Sequence, residues 1–138
     1  MIVLPSGLSA KLSDAEEVAR FLTSSSWFAP TTGRVKHQAF LPAPDNDTSV
    51  IRIAGRAETA LWGDARTNLQ GHHFHGAGVV RVGIVRETGL DAIADEPPPF
   101  HANLRGWTVD ADPEYQKAKR KALAISIAEE ARLVLCAE

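Results

Sequence analysis

The stretch HFHGAGVVRVGIVRE, His73–Glu87, decides how the chain is read. Val80, Val82 and Ile84 fall on one parity, and Val79, Arg81, Gly83 and Val85 on the other. Residues two apart in an extended chain point the same way. The alternation therefore predicts a strand, and it is the strongest strand signal in the sequence. In that register His73 and His75 share a side with Arg81, opposite Val80, Val82 and Ile84. If the valines face the core, the two histidines and Arg81 face solvent or a cleft. Gly76 and Gly78 leave backbone uncovered, so a ligand or another segment can approach closely.

Working outward, HANLRGWTV (His101–Val109) predicts a last short strand. Its parity puts His101, Asn103 and Arg105 on one side and Ala102 and Leu104 on the other. TGLDAIADEPPPF (Thr88–Phe100) reads as a connector, stiffened by Pro97, Pro98 and Pro99. RVKHQAFLP (Arg34–Pro42) and TSVIRIAG (Thr48–Gly55) flank the turn-forming APDNDT and are expected to pair antiparallel. GRAETALWG predicts a short helix ending at Gly63, with DARTNLQG as loop.

Two more helices are expected. In SDAEEVARFL, Ser13 and Glu16 stand as a capping box, and Val18, Phe21 and Leu22 share a helical face. Pro30 closes that segment. At the other end Asp112 can cap a long helix with Pro113 in its first turn and Glu114 near the positive dipole end. Leu123, Ile127, Ala131 and Val134 form one apolar stripe; Ala118, Ala122 and Ile125 lie nearly opposite. A helix apolar on two sides is buried between layers or used by a partner. The expected fold is α+β: one domain over residues 1–138, with a mainly antiparallel sheet packed against an N-terminal helix and a long C-terminal helix.

Composition fits that expectation. The chain has 138 residues, 44% hydrophobic and 23% charged, enough for a core in one domain. The single cysteine, Cys136, rules out an intrachain disulfide and suits a reducing cytoplasm. No stretch reads as a signal peptide, and no apolar run approaches the roughly 18–20 residues of a membrane span. The net charge of −2 hides a division. Between Pro30 and Arg86 seven cations (Arg34, Lys36, Arg52, Arg56, Arg66, Arg81, Arg86) face four acids (Asp45, Asp47, Glu58, Asp64). Between Glu87 and Glu114 seven acids face Arg105 alone. KAKRK at Lys117–Lys121 is either a solvated face or a contact to phosphate or an acidic partner.

The histidines carry the candidate chemistry. H-x-H with a distant third histidine can bind zinc, but the motif is short and has no cysteine pair, so no metal and no cofactor are expected. Metal-free acid/base work on phosphodiesters would use His75 and His101, since imidazole is the side chain suited to both taking and giving a proton. Lys36, Arg52, His73, Arg81, Asn103 and Arg105 would hold the phosphate. A His-activated serine or cysteine is a third chemistry, disfavoured because no G-x-S-x-G elbow exists. Whether the chain is an enzyme stays open. The expected function is a small cytosolic binding or accessory module acting with a larger protein partner, in a nucleic-acid-linked process. The alternative is a small metal-independent enzyme acting on a nucleotide phosphodiester. The interface is expected at Ala118, Ala122 and Ile125, for a protein partner or self-association, with nucleic acid as a further partner and no membrane.

Overall fold

A computed structural model describes residues 4–136; the apolar start at 1–3 lies outside the described residues. The strand signal at 73–87 resolves into β5 (Gly76–Arg81). The chain then turns at once into a short helix, α2 (Val82–Glu87), so Val82, Gly83, Ile84 and Val85 are helical instead of extended. Before β5 come β1 (Glu17–Phe21), β2 (Phe28–Ala29), β3 (Arg34–Val35), β4 (Thr48–Arg52) and α1 (Glu58–Asn68). After α2 come β6 (Asp91–Ala94), β7 (His101–Arg105), α3 (Pro113–Glu130) and β8 (Arg132–Leu135). Six strands form one antiparallel sheet in the order β6-β7-β4-β1-β5-β8. The fold is a single α+β domain with a mainly antiparallel sheet and a long C-terminal helix.

The sheet separates two cores. Val18, Val50, Val80, Ala102 and Leu104 pack with Phe40 and with Ile127 of α3 on one face. Ala19, Phe21, Ile51, Ala77 and Val79 pack against Leu61, Trp62 and Ala65 of α1 on the other. A central strand covered on both faces reads as continuously apolar, without alternation. β1 is covered on both faces, although Glu17 and Arg20 interrupt its apolar run, and here the structure corrects the expected N-terminal helix. Val18 and Ala19 point to opposite faces, and both are fully buried. No capping box forms. The Glu16 amide donates to the Ser13 carbonyl, and the Glu16 carboxylate takes the guanidinium of Arg52.

Other local expectations also give way. The segment 34–42 does not pair with β4. Its only strand is Arg34–Val35, which pairs with Phe28–Ala29 as a separate ribbon beside α3. α1 runs through Gly63 to Asn68, so 64–68 is helix. The connector contains an edge strand, β6. α3 begins as its caps dictate: the Asp112 carboxylate accepts from the amides of Glu114 and Tyr115, with Pro113 at the first turn. Of its expected apolar stripe only Leu123 and Ile127 lie within the helix, because Ala131 is its cap and Val134 belongs to β8.

The glycines of β5 have steric reasons. A Cβ on Gly76 would overlap the Val134 carbonyl oxygen of β8. A Cβ on Gly78 would stand 3.1 Å from a Val35 methyl and 3.3 Å from the Phe40 ring. Gly76 also marks a bulge. The Leu22 amide donates to the Gly76 carbonyl, while the Leu22 carbonyl accepts from His75, so one residue of the β1 chain opposes two. A bulge of this kind breaks the parity of the strand upstream of it.

Candidate functional sites

The Ser49–His101 cleft. β4 and β7 pair with Ser49 opposite Asn103 and Ile51 opposite His101. Ser49 and His101 are thus diagonal neighbours on one sheet face, close enough for side chains to meet. The Ser49 hydroxyl and His101 Nε2 are 2.5 Å apart. Across the next pairing, the Asp95 amide donates to the His101 carbonyl, which brings Asp95 beside the ring. His101 Nδ1 lies 2.8 Å from the Asp95 carbonyl oxygen. A carbonyl only accepts, so Nδ1 carries the proton and Nε2 accepts from the serine. The Asp95 carboxylate is 3.7 Å from the same nitrogen and takes the amide of Asn103 at 2.7 Å.

A cavity of about 440 Å³ lies elsewhere; the one at this pair measures about 390 Å³. It opens because β1 and β4 pair only at Val18–Arg52 and Ala19–Ile51 and then diverge. Arg20 bridges the gap: its Nε donates to the Ala39 carbonyl at 2.7 Å and its Nη1 to the Ser49 carbonyl at 3.1 Å. Burial lowers the pKa of this guanidinium from its usual value. Thr23, Asn68 and His72 complete the polar lining, with Phe21, Ile51 and Leu69 as apolar wall. No carboxylate lines the cleft.

The histidine cluster. His72, His73 and His75 line a smaller cavity of about 230 Å³ with Phe74 and Cys136. The rings of His73 and His75 meet edge-on at 4.6 Å. Phe74 anchors the segment between Phe21 and Trp62. His75 packs on Phe28, 5.4 Å between centroids, on the core face under α3. The bulge accounts for this: His75 does not share the side of Arg81, and it lies across the sheet from His101. Three strand spacings across and about four residues along separate them by roughly 20 Å. The structure does not bring His75 and His101 to one substrate; His72 is the histidine that shares a cleft with His101. Among the described residues, no group of three or more His, Cys, Asp or Glu side chains is placed to hold a metal ion.

The expected phosphate-binding residues disperse. Arg52 is buried in its ion pair with Glu16. Arg105 pairs with Asp47, and Asn103 serves Asp95. Arg81 sits exposed at the end of β5, and His73 belongs to the histidine cluster. Lys36 alone joins other cations, in a groove that the sequence did not reveal.

The basic groove. The cavity of about 440 Å³ lies between the β2–β3 ribbon and α3, lined by Arg34, Lys36, His37, Ile125, Ala128 and Glu129 among others. His37 also borders a hollow of about 260 Å³ flanked by Lys117, Arg120 and Lys121. Burial, then the charge of Lys121, lowers the pKa of His37. Ala118, Ala122 and Ile125 are all exposed, and Ile125 joins the groove wall. Arg34 entered the sequence reading only in the charge count, and His37 not at all, because the strand that carries Arg34 is two residues long and His37 stands in the 3-10 turn just after it.

Comparison with protein-family models, with curated proteins and with solved structures finds no match.

Proposed function

We propose that the protein is a small binding module that docks an acidic, partly apolar segment of a larger protein partner in the groove between the β2–β3 ribbon and α3. The carrying observation is that Arg34, Lys36 and His37 line the groove with an exposed isoleucine, Ile125, while Lys121 acts on His37 from the adjoining hollow. Cations attract an acidic chain, and Ile125, Ala128, Leu41 and Pro42 offer apolar surface between them. A phosphate backbone would gain nothing from that apolar surface. The exposed row Ala118, Ala122 and Ile125 extends the surface along α3. The single cysteine supports work in a reducing cytoplasm. Among the described residues, no helix is long and apolar enough to cross a membrane.

Fluorescence anisotropy tests this with a labelled peptide alternating glutamate and leucine, beside a DNA duplex. The peptide is expected to bind, more weakly as salt rises. Lys121→Glu is expected to weaken it roughly tenfold, the effect of about 1.4 kcal/mol. Tighter binding of the duplex would move the groove to nucleic acid. Binding of neither would end the reading.

A further inference from the structure

We propose that the cleft between β1 and β4 is a serine-nucleophile site for small carboxylic esters, with Ser49 as nucleophile, His101 as general base and Asp95 as positioning residue. This goes beyond the groove binding proposed above and occupies a different surface. Three observations meet here. The hydroxyl–imidazole pair is within hydrogen-bond reach at 2.5 Å. The base is oriented by a third group, since Asp95 holds Nδ1 through its carbonyl at 2.8 Å with its carboxylate 3.7 Å away. Nucleophile and base both line one cavity, of about 390 Å³. Nucleophile, base and orienting group are the parts of a triad recognised by geometry and role, whatever the chain order. The order here is Ser49, Asp95, His101.

The chemistry follows from the tautomer. Ser49 Oγ attacks the ester carbonyl carbon as its proton passes to His101 Nε2. The tetrahedral oxyanion forms beside Arg20, the cation that lines the cleft and donates to the Ser49 carbonyl. Its collapse breaks the bond to the leaving alcohol, which takes the proton from Nε2. Water then attacks the acyl-serine, giving its proton to Nε2, and the carboxylic acid leaves as Ser49 recovers the proton. The Asp95 carboxylate, fixed by Asn103, stabilises the transient imidazolium. With Arg20 and His72 in the lining and no carboxylate, the cleft suits a neutral or anionic ester with a short acyl group.

A fluorophosphonate probe, followed by peptide mass spectrometry, tests the assignment directly. One adduct on Ser49 is expected in the wild-type protein. With p-nitrophenyl acetate a burst of nitrophenolate is expected, lost in Ser49→Ala. His101→Ala is expected to slow labelling on the order of 10²–10⁴-fold. Asp95→Ala is expected to lower kcat with KM unchanged, which a purely structural role would not produce. His75→Ala, on the other face, should label normally. A wild-type protein whose Ser49 stays unlabelled overturns the proposal, whatever the variants do. So does a folded His101→Ala protein labelled at the wild-type rate.

Discussion

The guanidinium of Arg52 holds both carboxylate oxygens of Glu16, with Nε 2.5 Å from Oε1 and Nη2 3.0 Å from Oε2. Its third nitrogen, Nη1, donates to the Ser9 carbonyl at 2.7 Å. Arg52 is only 2% exposed, so its charge has little access to water. Removing one partner leaves the other charged and buried. Glu16→Ala is therefore expected to cost about 3–5 kcal/mol. Glu16→Leu with Arg52→Met should cost less than the two single changes together, because no orphan charge remains. Urea unfolding curves measure both.

α3 should respond oppositely on its two sides. Ile127 has no exposed surface and packs in the core under the sheet. Ile127→Ala is expected to lose roughly 2–5 kcal/mol, and Ile127→Asp to leave the protein unfolded or insoluble. Ile125 is 37% exposed. Ile125→Glu should stay within about 0.5 kcal/mol of wild type while weakening peptide binding in the groove. Thermal melts and anisotropy on the same samples separate the two effects.

Acid should loosen the Arg86 cluster. Arg86 bonds Asp14 and Asp91 and donates to the Leu12 carbonyl. The hydrogen bond from Arg86 holds the Asp91 carboxyl below its usual range. The folded pKa lies below the unfolded one, so this pair adds stability above the unfolded value, near pH 4 by the ordinary scale. That contribution is lost as pH falls through the folded value. Asp91 is half exposed, so the contribution is small. Arg86→Gln should flatten the acid limb of stability against pH, measured by urea melts at graded pH.

His37 should titrate below the ordinary histidine range. Burial is the larger cause and the Lys121 charge the smaller. Lys121→Gln removes only the second, so it should raise the His37 pKa part of the way back. Proton NMR of the imidazole resonances reads both. An unchanged titration in Lys121→Gln would separate His37 from the basic groove.

What the sequence alone determined about this protein is local in origin. Asp112, Pro113 and Glu114 start α3 because a cap and the residues it serves are chain neighbours. The parity of Ala102 and Leu104 against His101 and Asn103 follows from the pleat of a single strand. The tertiary structure decided the rest. β1 carries a helix-start pattern, yet its central place between β4 and β5 buries Val18 and Ala19 on opposite faces, and that burial outweighs a cap. β5 reads as one long strand, but Gly76 accommodates the close approach of Val134 and the bulge turns His75 away from Arg81. Ser49 gave no signal in the sequence. Its meeting with His101 depends on the β4–β7 register, a pairing of residues 52 positions apart that no local pattern encodes. Burial on two faces, close backbone approach and long-range register are properties of assembled strands, so they decided the cleft where the sequence could only supply its histidine.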